Sequence, residues 1–567
     1  MRTSVLFAAV LLLAGCGLQK PIFSDNDLGL GDNATVRNLG SASNSFSSYL
    51  SARFAASDHD LTGAARFYSQ TLKSDPADSS LLGLSFIYAA TSGDFAAAGT
   101  YAASIVTTTP DDRYARLTLA VIAFKKKDYT EARRQLSLSA KGPLASLTLS
   151  LFDVWAAAAQ NDKPAMEKDL AALAAEKGAE NIAAFHMGLL SEYSGNFDAA
   201  ETAYKQALKA GATPRVLEAY GRMLERAGRA ADATALYTAH KGEGGFAAVV
   251  EPGLARIAAA SKPAALVTTP SDGVAEGLFG FAASLSDNAS ADVSVLYLRM
   301  ALYLRPDFAL SQILLADRFD QLQRYEDAIA VYRTVDIGSP FRHMATMGLA
   351  LDLTRSGHTD AAIVELKRQA AADSKDNEAW IALGDAYRAT DKNAEALEAY
   401  DRAVAAIGIP RARDWPLFFA RAMVKEKLKD AKGSEAEINT ALKLSPNEAQ
   451  LLNYLGYAWV DRGERVEEAL TMLEKARSLR PYDGYIVDSV GWAYYKLGRY
   501  DDAAKTLEQA VLLVPGDPTI NEHLGDALWR AGKPIDARFQ WNHALTFGAE
   551  AEAKAAIEQK LKAGLPG

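Results

Sequence analysis

The side chains best suited to chemistry are few and scattered in this chain of 567 residues. Its seven histidines stand apart, and no His-Glu-x-x-His places two of them on one helix face around zinc. Glu522-His523 comes nearest, but the second histidine such a site needs is missing. No Gly-x-Ser-x-Gly elbow or Ser-x-x-Lys pair offers an acyl-enzyme nucleophile. The glycines between Gly242 and Gly245 lead into no Gly-Lys-Ser/Thr, so they make no phosphate loop. Carboxylates are plentiful, and a paired-acid glycosidase stays open on sequence alone. No catalytic residue, metal or cofactor is therefore expected. One thiol remains: Cys16, the only cysteine, has no partner for a disulfide or a metal site. It follows the apolar run 5–13, which is too short to span a bilayer and has the size of a signal-peptide core.

Leu13-Ala14-Gly15-Cys16 resembles the lipobox of bacterial lipoproteins. The resemblance implies cleavage before Cys16, a diacylglycerol thioether on its sulfur and acylation, palmitate included, of the new N-terminus. A thiolate is the side chain best suited to become a thioether, and two or more acyl chains hold a protein where one holds it marginally. Gly17 rather than Asp after the cysteine implies sorting to the outer membrane, periplasmic face. Residues 1–15 then form a signal peptide, and 16–43, rich in Gly, Ser, Asn and Asp, a lipidated flexible tether. As a coil, 26 residues span about 30 Å. A net charge of -9 argues against nucleic acid as the main partner.

Any further groups must be positioned by the rest of the chain, which is periodic. Residues 487–515 and 376–403 share a small residue after Leu or Val, an aromatic three later, Ala twelve later and a second Ala seven beyond. In one copy these are Trp380, Leu383, Gly384, Tyr387, Ala396, Tyr400 and Ala403. In the other they are Val490, Gly491, Tyr494, Ala503, Leu507, Ala510 and Pro515. These are marks of the tetratricopeptide repeat, a 34-residue pair of antiparallel helices. The small position falls at Ala52, Phe86, Ala120, Val154 and Gly188, each 34 apart, then at Gly221. It resumes at Ala282, Ala316, Ala350, Gly384, Ala422, Gly456, Gly491 and Gly525. The fold class is all-α, a tetratricopeptide-repeat solenoid of up to fourteen repeats. Its expected parts are an N-terminal array over 44–241, an irregular Gly/Pro-rich junction over 242–273, a C-terminal array over 274–548, and a capping helix and tail over 549–567.

A solenoid offers a concave wall, lined by the first helix of each repeat. Near the C-terminus the inward stripe reads Asn453, Tyr457 and Asp461, then Tyr485, Asp488, Trp492, Tyr495 and Lys496, then Glu522, Asp526, Trp529 and Arg530. Aromatic area with interspersed charge suits a polypeptide guest. Trp492 and Trp529 equally suit packing between repeats. Only Lys496 is placed to hold a terminal carboxylate, so a chaperone-tail clamp is not expected.

Residues 452–545 are similar to the C-terminal repeats of a proteobacterial lipoprotein family. In pseudomonads that family includes the lipoprotein binding partner of the carboxyl-terminal processing protease CtpA. The resemblance implies a non-catalytic outer-membrane adaptor that presents cell-wall (peptidoglycan) hydrolases to a periplasmic Ser-Lys protease. The alternative is a structural scaffold for envelope assembly, such as cell-wall synthesis, polysaccharide export or pilus biogenesis.

Overall fold

A computed structural model describes residues 43–58, 60–175, 180–242, 245–285 and 290–566. The expected signal peptide, Cys16 and all but the last residue of the expected tether lie outside the described residues. Thirty α-helices and no strand occur among those described. No described helix is long and apolar enough to cross a membrane.

Local chemistry sets the helix ends. Asp94, Asp128 and Asp430 each turn a side-chain oxygen onto a backbone N–H three residues on. That satisfies a donor with no partner inside the helix. The turn inside a repeat needs one residue in the left-handed region. Glycine fills it at Gly93 and Gly498, whereas Lys127 and Lys429 accept the same conformation at φ 65° and 64°.

Within a repeat, the two helices meet through one contact that recurs. The Tyr204 ring lies where a Cβ on Gly188 would be, and Tyr237 and Tyr400 do the same to Gly221 and Gly384, each sixteen residues on. Trp541 covers Gly525 in the same way. A methyl there would enter the ring, so the glycine is required for close approach. Each buried ring also needs a partner for its polar tip. Tyr204 donates to Glu192 at 2.9 Å, Tyr237 to Glu225 at 2.8 Å, Tyr400 to Asp385 at 2.7 Å and Trp541 to Asp526 at 2.9 Å. Small residue, ring and carboxylate thus close the hairpin together.

Packing divides the chain into two compact units, Met1–His358 and Thr359–Gly567. The division falls between α18 (Arg342–Arg355) and α19 (Thr359–Ala372), which the repeat phase would pair.

In the first unit, α14 (Pro270–Ser284) and α15 (Ala291–Leu304) pack back onto the first helices of earlier repeats, α3 (Ser79–Ser92), α5 (Arg113–Lys125), α7 (Pro143–Ala159) and α9 (Glu180–Tyr193). Gly273 and Gly277 sit against Trp155 and Leu151 with no room for a Cβ. Lys125 Nζ donates to the Leu304 carbonyl at 2.8 Å, and Arg299 Nε to the Thr91 carbonyl at 2.8 Å. Phe95 stacks on Tyr303 at 4.5 Å. Glu276, 1% exposed, pairs with Arg215 and, at 3.1 Å, with Arg305. The wall that lines a solenoid's inner side is here covered by the chain's own helices. The stretch 242–273 contains α13 (Ala247–Ala258) and the first turn of α14.

Candidate functional site

The second unit carries the predicted stripe on α24 (Ala449–Arg462), α26 (Gly484–Lys496) and α28 (Pro518–Arg530), the first helices of three successive repeats. Asp483 and Asp517 cap the last two through backbone N–H groups, fixing where each helix begins and so which residues share a face.

The middle of the stripe is an aromatic stack. Trp492 lies parallel to Tyr495 at 4.6 Å and to the His523 ring at 4.0 Å. The Lys496 ammonium sits over the Trp492 ring at 5.3 Å. His523 Nδ1 is 3.0 Å from Asp488 Oδ1, joining α26 to α28. Burial opposes a charged imidazole there, yet Asp488, with Asp526 and Glu522 behind it, holds the His523 pKa above its usual value. Tyr457 is half-buried; burial, with Asp461 and Asp488 nearby, pushes its hydroxyl up to about 12. Asp461, Lys496 and Tyr485 are exposed to a guest. Two buried polar atoms of the stripe, Asn453 Oδ1 and Trp492 Nε1, make no hydrogen bond among the described residues.

The far end is occupied. Lys560 of α30 (Ala551–Ala563) reaches Glu522 at 2.6 Å and Asp526 at 2.8 Å. Burial raises the Asp526 carboxyl against the pull of Lys560 and of the Trp541 N–H. Gly564, at φ 72°, rests on the Trp529 ring where any side chain would collide, and Arg538 lies over the same ring at 5.4 Å. Arg530 is close enough to Tyr495 to hydrogen-bond its hydroxyl, which burial raises.

The structure therefore brings Asp488, Trp492, Tyr495 and Lys496 together, with Tyr457 and Asp461 alongside and Asn453 one turn away on α24. Glu522, Asp526 and Trp529 are engaged by α29 (Pro534–Thr546) and α30. His523 is the residue that spacing missed. Its signal was an acid three residues before one repeat's glycine and a histidine two before the next, 35 apart. Among the described residues no cluster of three or more His, Cys, Asp or Glu could hold a metal.

The His523–Asp488 pair is expected to make the stability of the second unit pH-dependent. A histidine whose folded pKa is raised stabilises fully below its unfolded value, about 6.5, and loses that contribution as pH climbs through the folded value. Amide protection factors in α26 and α28, corrected for the base-catalysed intrinsic rate, are expected to be higher at pH 6 than at pH 8.5, and Asp488→Asn to flatten the difference. An unchanged slope in the variant would refute the linkage.

Fold and site together define the class: a tetratricopeptide-repeat solenoid, an architecture that commonly mediates protein–protein interaction and scaffolding. The tetratricopeptide repeat family model matches residues 84–145, 185–248 and 491–558, and a bacterial transcriptional activator domain model matches 342–408. A TPR repeat-containing protein of Pseudomonas aeruginosa is 37% identical over 113 residues, 20% of this chain and 19% of that one. The chain thus spans about a fifth of the length of the curated relative it matches. Among solved structures, the APC/C hetero-tetramer Cut9–Hcn1 aligns over 91% of this chain and 96% of its own at 16% identity and a TM-score of 0.37. The pilF protein of Pseudomonas aeruginosa aligns over 33% of this chain and 82% of its own at 20% identity and a TM-score of 0.29.

Proposed function

We propose that the protein is a non-catalytic adaptor lipoprotein, moored through Cys16 to the periplasmic face of the outer membrane. Its C-terminal groove holds other proteins, recruiting a carboxyl-terminal processing protease, its cell-wall hydrolase substrates, or both. The observation that supports this reading is the pair of inner walls. In the first unit the wall is filled by α14 and α15, while in the second an aromatic stack flanked by Asp461 and Lys496 stays half-open. Mooring raises the local concentration of both guests at one membrane, which accelerates their encounter without any chemistry by the adaptor.

The test replaces Trp492 with a photoreactive phenylalanine analogue in intact cells. Illumination is expected to join the chain to a processing protease or a peptidoglycan hydrolase. Trp492→Ala should weaken that association at least tenfold, as loss of a buried aromatic anchor does. Capture solely of stable synthesis, export or pilus machinery would replace the adaptor reading with a structural scaffold.

A further inference from the structure

The second unit ends in α30, which buries Ile557 and turns Glu552, Lys554, Glu558 and Lys562 outward. The first unit begins differently. Its first described helix, α1 (Ser43–Ser57), packs Ala52 and Ala55 inward and sets Tyr49 edge-on to Tyr68 at 6.3 Å. On its other side Phe46, Leu50 and Phe54 are 48%, 50% and 71% exposed. Spaced four apart, they form one apolar stripe along the helix. A terminal repeat with an apolar outer face needs something to cover it.

We propose that this face of α1 docks on the lipid surface to which the chain is moored, so that the first repeat lies against the bilayer. The proposal rests on the reading that Cys16 is lipidated. Three arguments favour lipid over a second copy of the chain. The stripe offers roughly 300 Å² of apolar area, well short of the about 800 Å² per partner that a stable dimer needs. Residues 17–42 join Cys16 to α1, and 26 residues reach at most about 90 Å even when fully extended. The bilayer is therefore always within reach, and a weak apolar contact suffices once association is intramolecular. Finally, α1 contains no acidic residue and carries Arg53 on its exposed side, although the chain as a whole has a net charge of -9. An anionic headgroup layer therefore does not repel this helix as it would the acidic chain at large.

Leu50→Cys in the full chain, labelled with a nitroxide, tests the docking. Cys16 is the only natural cysteine, so the acylated protein takes one label and an unacylated one takes two. Two labels would sink the anchoring reading, and Leu50→Cys combined with Cys16→Ser, which takes a single label, then keeps the depth measurement on added vesicles readable. On vesicles of phosphatidylethanolamine and phosphatidylglycerol, the label's collision rate with an aqueous nickel chelate is expected to fall at least tenfold, with access to oxygen retained. Phe46→Ser with Phe54→Ser should restore it, and circular dichroism will show that this variant keeps its helix content. Unchanged access on vesicles overturns the proposal. So does protection already present in solution: protection that grows with protein concentration assigns the face to a second copy, and protection independent of concentration assigns it to the chain's own residues 17–42.

Discussion

Exchanging Glu276 for glutamine is expected to destabilise the N-terminal unit by about 3–5 kcal/mol, the usual result of removing one partner from a buried ion pair. The Glu276 side chain has no solvent exposure, and those of Arg215 and Arg305 are only 11% and 20% exposed. Glutamine keeps the shape and an acceptor, but it cancels the charge that makes two buried guanidinium groups tolerable. Arg215 retains Glu218 at 2.6 Å, yet Arg222 shares that carboxylate at 2.9 Å. Arg305 keeps the Leu266 carbonyl at 3.0 Å, but its remaining anion is Asp307 at 3.6 Å, which is 83% exposed and too well solvated to compensate. The loss should appear in urea unfolding and as faster amide exchange in α14. Because α14 covers Trp155 and Leu151, its loosening should also bare apolar wall and increase binding of a hydrophobic dye. A change below about 1 kcal/mol would mean that water reaches the pair, contrary to its burial.

That network joins segments which the repeat phase leaves unrelated. The repeat phase was legible because each hairpin needs a small residue facing a ring sixteen positions on, and Gly188, Gly221, Gly384 and Gly525 keep that beat. Nothing in the same phase says that Ala282 belongs to a helix folded back on α7: Ala282 and Ala301 keep the beat, Leu285 and Ser294 merely weaken it, and the room for α7 comes from Gly273 and Gly277. Long-range docking is decided by which residues are missing a side chain, and two extra glycines make a faint signal. The concave stripe was legible as far as helical periodicity carries it, which is enough to bring Trp492, Tyr495 and Lys496 together. Periodicity could not tell that the position after the glycine also takes the hydrogen bond from the next helix. Asp385 and Asp526 both occupy it, and both receive the buried ring's donor. Nor could it tell that Lys560, 34 residues beyond Asp526, returns to neutralise the end of the stripe.

Trp541→Ala is expected to destabilise the C-terminal unit by about 3–5 kcal/mol, the range for emptying a large buried aromatic site. The Trp541 ring is fully buried, covers Gly525 and lies 5.5 Å from Trp529. Its N–H is one of two donors on Asp526, so alanine leaves that buried carboxylate to Lys560 alone. Trp541→Phe separates the two losses: the ring's volume largely remains while the hydrogen bond goes, at about 1.5–3 kcal/mol for a charged acceptor. The partner of the ring supplies the decisive comparison. Gly525→Ala drives a methyl into Trp541 and is expected to destabilise by about 1–3 kcal/mol through overpacking. In the Trp541→Ala background that methyl enters vacated space, and most of its penalty should vanish. A double-mutant cycle by urea unfolding would then show a coupling above about 1 kcal/mol. Additive effects would mean that the ring and the glycine do not hold the hairpin together, and the same contact in the repeats of Tyr204, Tyr237 and Tyr400 would lose its explanation.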